Sequence, residues 1–93
     1  LFEDKAIQIP ISSTKSMTGH LAGAAGVLEA IACVKAVETG WAPPTINYDT
    51  PDPECNLDYI PWKAREVSPG LVLSNSFGFG GHSSCLAFRR YAA

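Results

Sequence analysis

The chain has 93 residues, 46% of them hydrophobic, which is enough for one small core and no more. Nine acidic residues against seven basic ones, scattered along the chain for a net charge of −2, provide no electrostatic footprint for a nucleic-acid backbone or an anionic membrane. The longest apolar stretch, 21–37, is rich in Gly and Ala and broken by Glu29 and Lys35, so no membrane span is expected and a soluble protein is.

The chain starts at Leu1 without a methionine and without the basic and apolar regions of a signal peptide, and is expected to be part of something longer. Cys33, Cys55 and Cys85 are odd in number and widely spaced. That argues against a disulfide framework and a zinc site, and fits a reducing compartment.

In chain order, Ala6 to Ser12 reads as a short strand at an edge or strand end, because β-branched residues alternate there and Pro10 lacks an N–H. A polar loop, Ser13 to His20, follows. From Leu21 to Thr39 strong helix formers run without proline and stop at Gly40, which predicts a helix. Its apolar residues spread almost all the way round, which predicts burial on most sides, and Gly23, Ala24 and Gly26 suggest close approach of another backbone or a ligand arm.

Between Trp41 and Ser68 lie five prolines, so regular structure cannot run far. Ile46, Tyr48, Leu57, Tyr59, Ile60 and Trp62 are too many apolar residues for a floppy linker, and predict an ordered connection lying across the domain. Leu71 to Phe77 and His82 to Arg89 read as two strands joined by the Gly78-Phe79-Gly80-Gly81 turn, a terminal hairpin. The whole is a mixed α/β layer.

Lys15 and His20 place an ammonium and an imidazole five residues apart at a helix start, where unpaired N–H groups and partial positive charge favour anions and disfavour a charged imidazole. A neutral histidine there is suited to donate one N–H to a developing oxyanion. On spacing alone a solvated or capping role is the commoner outcome for such a pair, and a bare Gly-rich turn between strands is usually only a hairpin. Glu29, mid-helix among apolar residues, must be paired, hydrogen-bonded or protonated, and a structural carboxylate is the simpler expectation. None of the three cysteines has a neighbouring base, and His20 and His82 lack a third metal ligand at suitable spacing.

Taken together, SSTKSMTGHLAGAAGVLEA, APPTINYDTPDPECNLDYIP and LSNSFGFGGHSSCLAF resemble the C-terminal part of the β-ketoacyl-acyl-carrier-protein synthases. The resemblance spans nearly the whole chain and implies the C-terminal part of a thiolase-like fold. Residues 1–93 would be an incomplete C-terminal segment of a homodimeric, cytoplasmic or organelle-matrix enzyme. That enzyme performs decarboxylative condensation of an acyl-enzyme thioester with malonyl-acyl carrier protein.

On that template His20 would stabilise the enolate oxygen and Lys15 would organise the site. Phe79, with Phe77 and Gly78, would form the acyl gate and oxyanion hole. Glu29, Ser74 and Asn75 would lie near the site, where a monovalent cation has been considered. No resident cofactor is implied, since the acyl groups arrive on the phosphopantetheine arm of acyl carrier protein. His82-Ser83 departs from the usual Thr-Asn after the turn. The nucleophilic cysteine belongs upstream, so the 93 residues alone are expected to be inactive. Ketosynthases of aromatic polyketide pathways, and their non-catalytic chain-length partner subunits, remain alternatives.

Overall fold

A computed structural model describes residues 2–78 and 80–91. It orders a 3-10 helix (Glu3–Gln8), a one-turn helix α1 (Lys15–Thr18), a 3-10 turn (Ala22–Ala24) and the main helix α2 (Ala25–Thr39). Four strands follow, β1 (Trp41–Ala42), β2 (Arg65–Glu66), β3 (Val72–Phe77) and β4 (Ser83–Phe88).

The expected strand at 6–12 does not form. Its first half is 3-10 helix, and the extended segment after it makes a single backbone bond to a distant part of the chain, Ile11 N–H to the Asp58 carbonyl at 2.8 Å. Alternating isoleucines earn a strand only when a second strand supplies the ladder, and Pro10 contributes no donor to one.

Helix α2 ends where its sequence demands. Gly40 adopts φ 80°, ψ 3°, and its N–H bonds the Ala36 carbonyl at 2.9 Å, a left-handed C-terminal cap that glycine takes without strain. Its start is later than expected, because 22–24 is wound as 3-10 turn. The expectation of burial on most sides is not met either. Ala36 is the helix's one buried residue, while Val27, Ile31 and Val34 are 66%, 51% and 46% exposed. A single hairpin is too narrow to cover a helix that is apolar all round.

The hairpin matches expectation to within a residue at each outer end. β3 and β4 pair antiparallel from Val72 opposite Phe88 to Phe77 opposite Ser83. Residues opposite each other share a face, so Val72, Ser74 and Ser76 lie with Ser84, Leu86 and Phe88, and along β3 this set is the more covered. The turn closes with the Gly78 N–H donating to the His82 carbonyl at 2.7 Å, and Gly80 and Gly81 sit at φ 82° and 85°.

The proline-rich connection is ordered and crosses the domain, as its apolar content predicts. It also contains a small ladder the sequence did not announce, β1 against β2, with Trp41 opposite Glu66. Thr45 N–H donates to the Ile60 carbonyl at 2.9 Å and Trp62 N–H to the Thr45 carbonyl at 3.0 Å, which clips the two ends of the connection together. Ile60 at the clip is 1% exposed and holds φ 50°, a costly angle for a β-branched residue that its packing and an N–H bond to Asp58 Oδ1 maintain. Asp58 pairs with Arg65 through both guanidinium nitrogens, and this holds its carboxyl below the usual aspartate range.

Candidate functional site

The loop from 13 to 20 and the start of α2 form one side of a cleft of about 300 Å³, and the end of β3 forms the other. Lys15, His20, Glu29, Asn75, Ser76 and Phe77 line it. Five of these are residues singled out in the sequence, drawn from three separated stretches of chain.

Lys15 stands at the first position of α1, and its ammonium forms an ion pair with the Glu29 carboxylate one turn inside α2. The Glu29 side chain is 17% exposed and that of Lys15 39% exposed, so the pair is half withdrawn from water. The mid-helix carboxylate is therefore satisfied by Lys15, and Lys15 reaches the cleft through it.

α1 ends at Gly19, whose φ of 73° with ψ of −179° turns the chain sharply before His20. The imidazole is exposed to the cleft, and its Nδ1 accepts a hydrogen bond from the Ala22 N–H at 3.1 Å. A backbone N–H can only donate, so Nδ1 is bare and the neutral ring carries its proton on Nε2. Nothing in the residue pattern points to Ala22: an alanine at φ 51° is unusual, and only the folded loop shows that its amide meets the ring.

Phe77, at the end of β3, is 80% exposed and borders the cleft, with Gly78 opening the turn behind it. Asn75 is in the cleft lining and Ser74 is not. Ser74 instead lies beside Cys33, one turn beyond Glu29 on α2. Burial pushes that thiol up, partly offset by the neighbouring Ser74 hydroxyl and reinforced by Glu29. Phe79, the expected gate, lies outside the described residues. Cys33, Cys55 and Cys85 are free, and no group of three or more metal-ligating side chains assembles among the described residues. No described helix is long and apolar enough to cross a membrane.

A second cavity of about 470 Å³ runs along the outer side of α2 between Gly23, Val27, Ile31, Val34 and Leu86. It is apolar and shares only Gly26 with the first.

Comparisons with known proteins show the family to which the chain belongs. The profile of the family described as "Beta-ketoacyl synthase, C-terminal domain" matches residues 1–49. The chain is 56% identical over 86 residues to 3-oxoacyl-[acyl-carrier-protein] synthase 2 of Synechocystis, covering 92% of this chain and 21% of that protein. It is 52% identical over 86 residues to the tetracenomycin polyketide synthase ketoacyl synthase alpha subunit of Streptomyces glaucescens, covering 92% and 20%.

Among solved structures, a type II polyketide ketosynthase in complex with its acyl-carrier protein superposes with a TM-score of 0.92 at 42% identity, over 97% of this chain and 22% of that one. The ishigamide ketosynthase/chain length factor gives 0.86 at 43%, over 89% and 21%. The fold is therefore thiolase-like α/β, of which these residues form the helix and terminal hairpin. The chain belongs to the β-ketoacyl synthase family and spans about a fifth of the length of the curated relatives it matches.

Proposed function

We propose that the protein carrying this chain is a ketosynthase that condenses an acyl-enzyme thioester with malonyl-acyl carrier protein. The chain would supply the groups that manage the malonyl half-reaction. The observation that carries the reading is the cleft itself, where His20, with its Nδ1 engaged by the Ala22 amide, stands beside the Lys15–Glu29 pair and the end of β3.

In that reaction the malonyl thioester loses carbon dioxide, and the electron pair of the broken C–C bond becomes an enolate. The enolate carbon attacks the acyl carbonyl, and the enzyme's thiolate leaves. Charge builds on the malonyl thioester oxygen, where an N–H donor held in place before the reaction stabilises it; one such donor is commonly worth about 10²–10³ in rate. The His20 Nε2–H fills that role. Lys15, tied to Glu29, fixes the loop that carries the histidine and contributes positive charge beside the developing anion.

Phe77 and Gly78 form the rim by which the acyl chain enters, and Phe79 would complete the gate and donate to the acyl oxyanion. No resident cofactor is needed, since both acyl groups come on the phosphopantetheine arm of acyl carrier protein. The nucleophilic cysteine would come from the rest of a homodimeric parent, because Cys33 is held with a raised thiol pKa and Cys55 and Cys85 line neither cavity. The remaining four-fifths would also cover the apolar side of α2, and the 93 residues alone would not turn over.

Fatty acid elongation is the reading favoured by the Synechocystis relative. Likeness to the Streptomyces glaucescens ketosynthase supports an aromatic polyketide role as the alternative. Its chain-length partner is disfavoured by retention of both Lys15 and His20.

The test is His20→Ala in the full-length protein, with enzyme acylation measured separately from release of carbon dioxide from malonyl-carrier protein. Acylation is expected to survive while decarboxylation and condensation fall by about 10²–10³. Unchanged decarboxylation would refute the role given to His20.

A further inference from the structure

The function proposed above uses the loop and the helix but leaves the proline-rich connection idle, and the structure gives it work. α1 is a single turn, far too short to persist by its own hydrogen bonds. What holds it is external: besides the Lys15–Glu29 pair, the support comes from three consecutive residues of the connection. Thr45 Oγ1 accepts the Ser13 N–H at 3.0 Å, the Ile46 N–H donates to Ser16 Oγ at 2.9 Å, and Asn47 Nδ2 donates to the Ser16 carbonyl at 3.3 Å. Ser16 is the centre of this latch, since its hydroxyl also donates to the Ser13 carbonyl at 2.8 Å and so uses both its donor and an acceptor.

The three latching residues are themselves fixed. Thr45 is clipped to Ile60 and Trp62, and the almost fully buried Ile60 anchors the clip. Asn47 stands at φ 61°, which directs it back toward α1. Lys15 precedes Ser16 directly and His20 follows four residues later. Both flanks of the site are thus set by the register of this one turn against the connection.

We propose that Ser16 is a positioning residue for the Lys15/His20 site, and that Thr45, Ile46 and Asn47 form the latch through which it acts. This rests on the malonyl-side role argued for His20 above. The latch touches no reacting atom. It holds the loop in the one setting where the Lys15 ammonium meets Glu29 and the imidazole stands over the cleft.

The experiment uses the full-length protein with Ser16→Ala, Ser16→Thr, Asn47→Gly and, as a reference, His20→Ala, following acylation and malonyl decarboxylation separately. Ser16→Ala is expected to lower decarboxylation by up to about 10²-fold, the scale of a reacting group displaced by about 1 Å, with acylation unchanged. Ser16→Thr keeps the hydroxyl and is expected to restore the rate. Asn47→Gly tolerates the positive φ and removes only the side-chain bond, and is expected to cost about fivefold, the equivalent of one neutral hydrogen bond.

Parent-like decarboxylation in Ser16→Ala, or loss of both steps in equal proportion, overturns the latch while leaving His20's role standing if His20→Ala has collapsed. Parent-like decarboxylation in His20→Ala overturns the reading on which the latch rests, and the latch with it.

Discussion

Ile31 lies at the centre of the apolar side of α2, 51% exposed within these 93 residues and flanked by Val27 and Val34, also uncovered. Truncating it to alanine tests whether that face is covered in the whole protein. Burying a side chain of this size completely is worth roughly 1.5–3 kcal/mol, so at half exposure only about 1 kcal/mol is at stake when the chain stands alone. If the rest of the protein packs on the groove, the same truncation opens a cavity in a closed core, and the cost rises to about 2–5 kcal/mol.

The assay is denaturant or thermal unfolding of the full-length protein with Ile31→Ala, alongside an exposed control such as Ile7→Ala, since Ile7 is 63% exposed and lines neither cavity. A large loss at Ile31 and a small one at Ile7 is expected. Losses of equal, small size at both positions would refute the covering of α2 and leave its apolar surround unexplained.

Other perturbations follow from individual contacts. Glu29→Gln leaves the Lys15 ammonium without its partner in a half-buried setting; a cost between the ~1 kcal/mol of a surface pair and the ~3–5 kcal/mol of a buried one is expected, with a parallel fall in decarboxylation, measured by unfolding and carbon dioxide release. The Asp58 carboxyl is held below its ordinary pKa by Arg65, so the stability it contributes is present above about pH 3.9 and is lost as the pH falls through the lower folded value. Asp58→Asn is therefore expected to flatten the acid limb of the stability–pH curve, and an unchanged limb would argue against it. Cys33, half-buried with its thiol pushed up, should react with maleimide more slowly than the exposed Cys55 and Cys85 in the 93-residue chain, as counted by mass spectrometry over time.

The sequence disclosed the elements whose signal is local. Gly40 announced the end of α2, and the glycines of the turn with flanking alternation announced the hairpin, because each depends on a few adjacent residues. The strand expected at 6–12 failed because a strand is a property of a pair, and no local pattern shows whether the second member is in reach. The burial expected for α2 failed for a related reason: composition reports that a helix is apolar all round, not what lies against it.

Within the site, Lys15, His20 and Glu29 stood out in the sequence as candidates, but the pairing of Lys15 with Glu29 did not, since 14 positions of chain separate them. Ala22 and Ser16 were invisible for a different reason. One acts through a backbone amide and the other through bonds 30 or more residues away in sequence, and neither residue type advertises such a role.

Helix α2 does two things at once, and Gly26, which lines both cavities, marks where they meet. On one side Glu29 anchors Lys15, and Cys33 one turn on touches Ser74 of β3. On the other, Val27, Ile31 and Val34 line the apolar groove and are uncovered in these residues. A helix is stiff over 15 residues, so whatever seats its apolar side also sets the position of the Glu29 carboxylate. Errors in packing on the groove therefore reach the cleft through Glu29 and Lys15. Substitutions at Val27 or Ile31, with no contact to the cleft in this structure, should then disturb malonyl decarboxylation in proportion to how far they shift the helix.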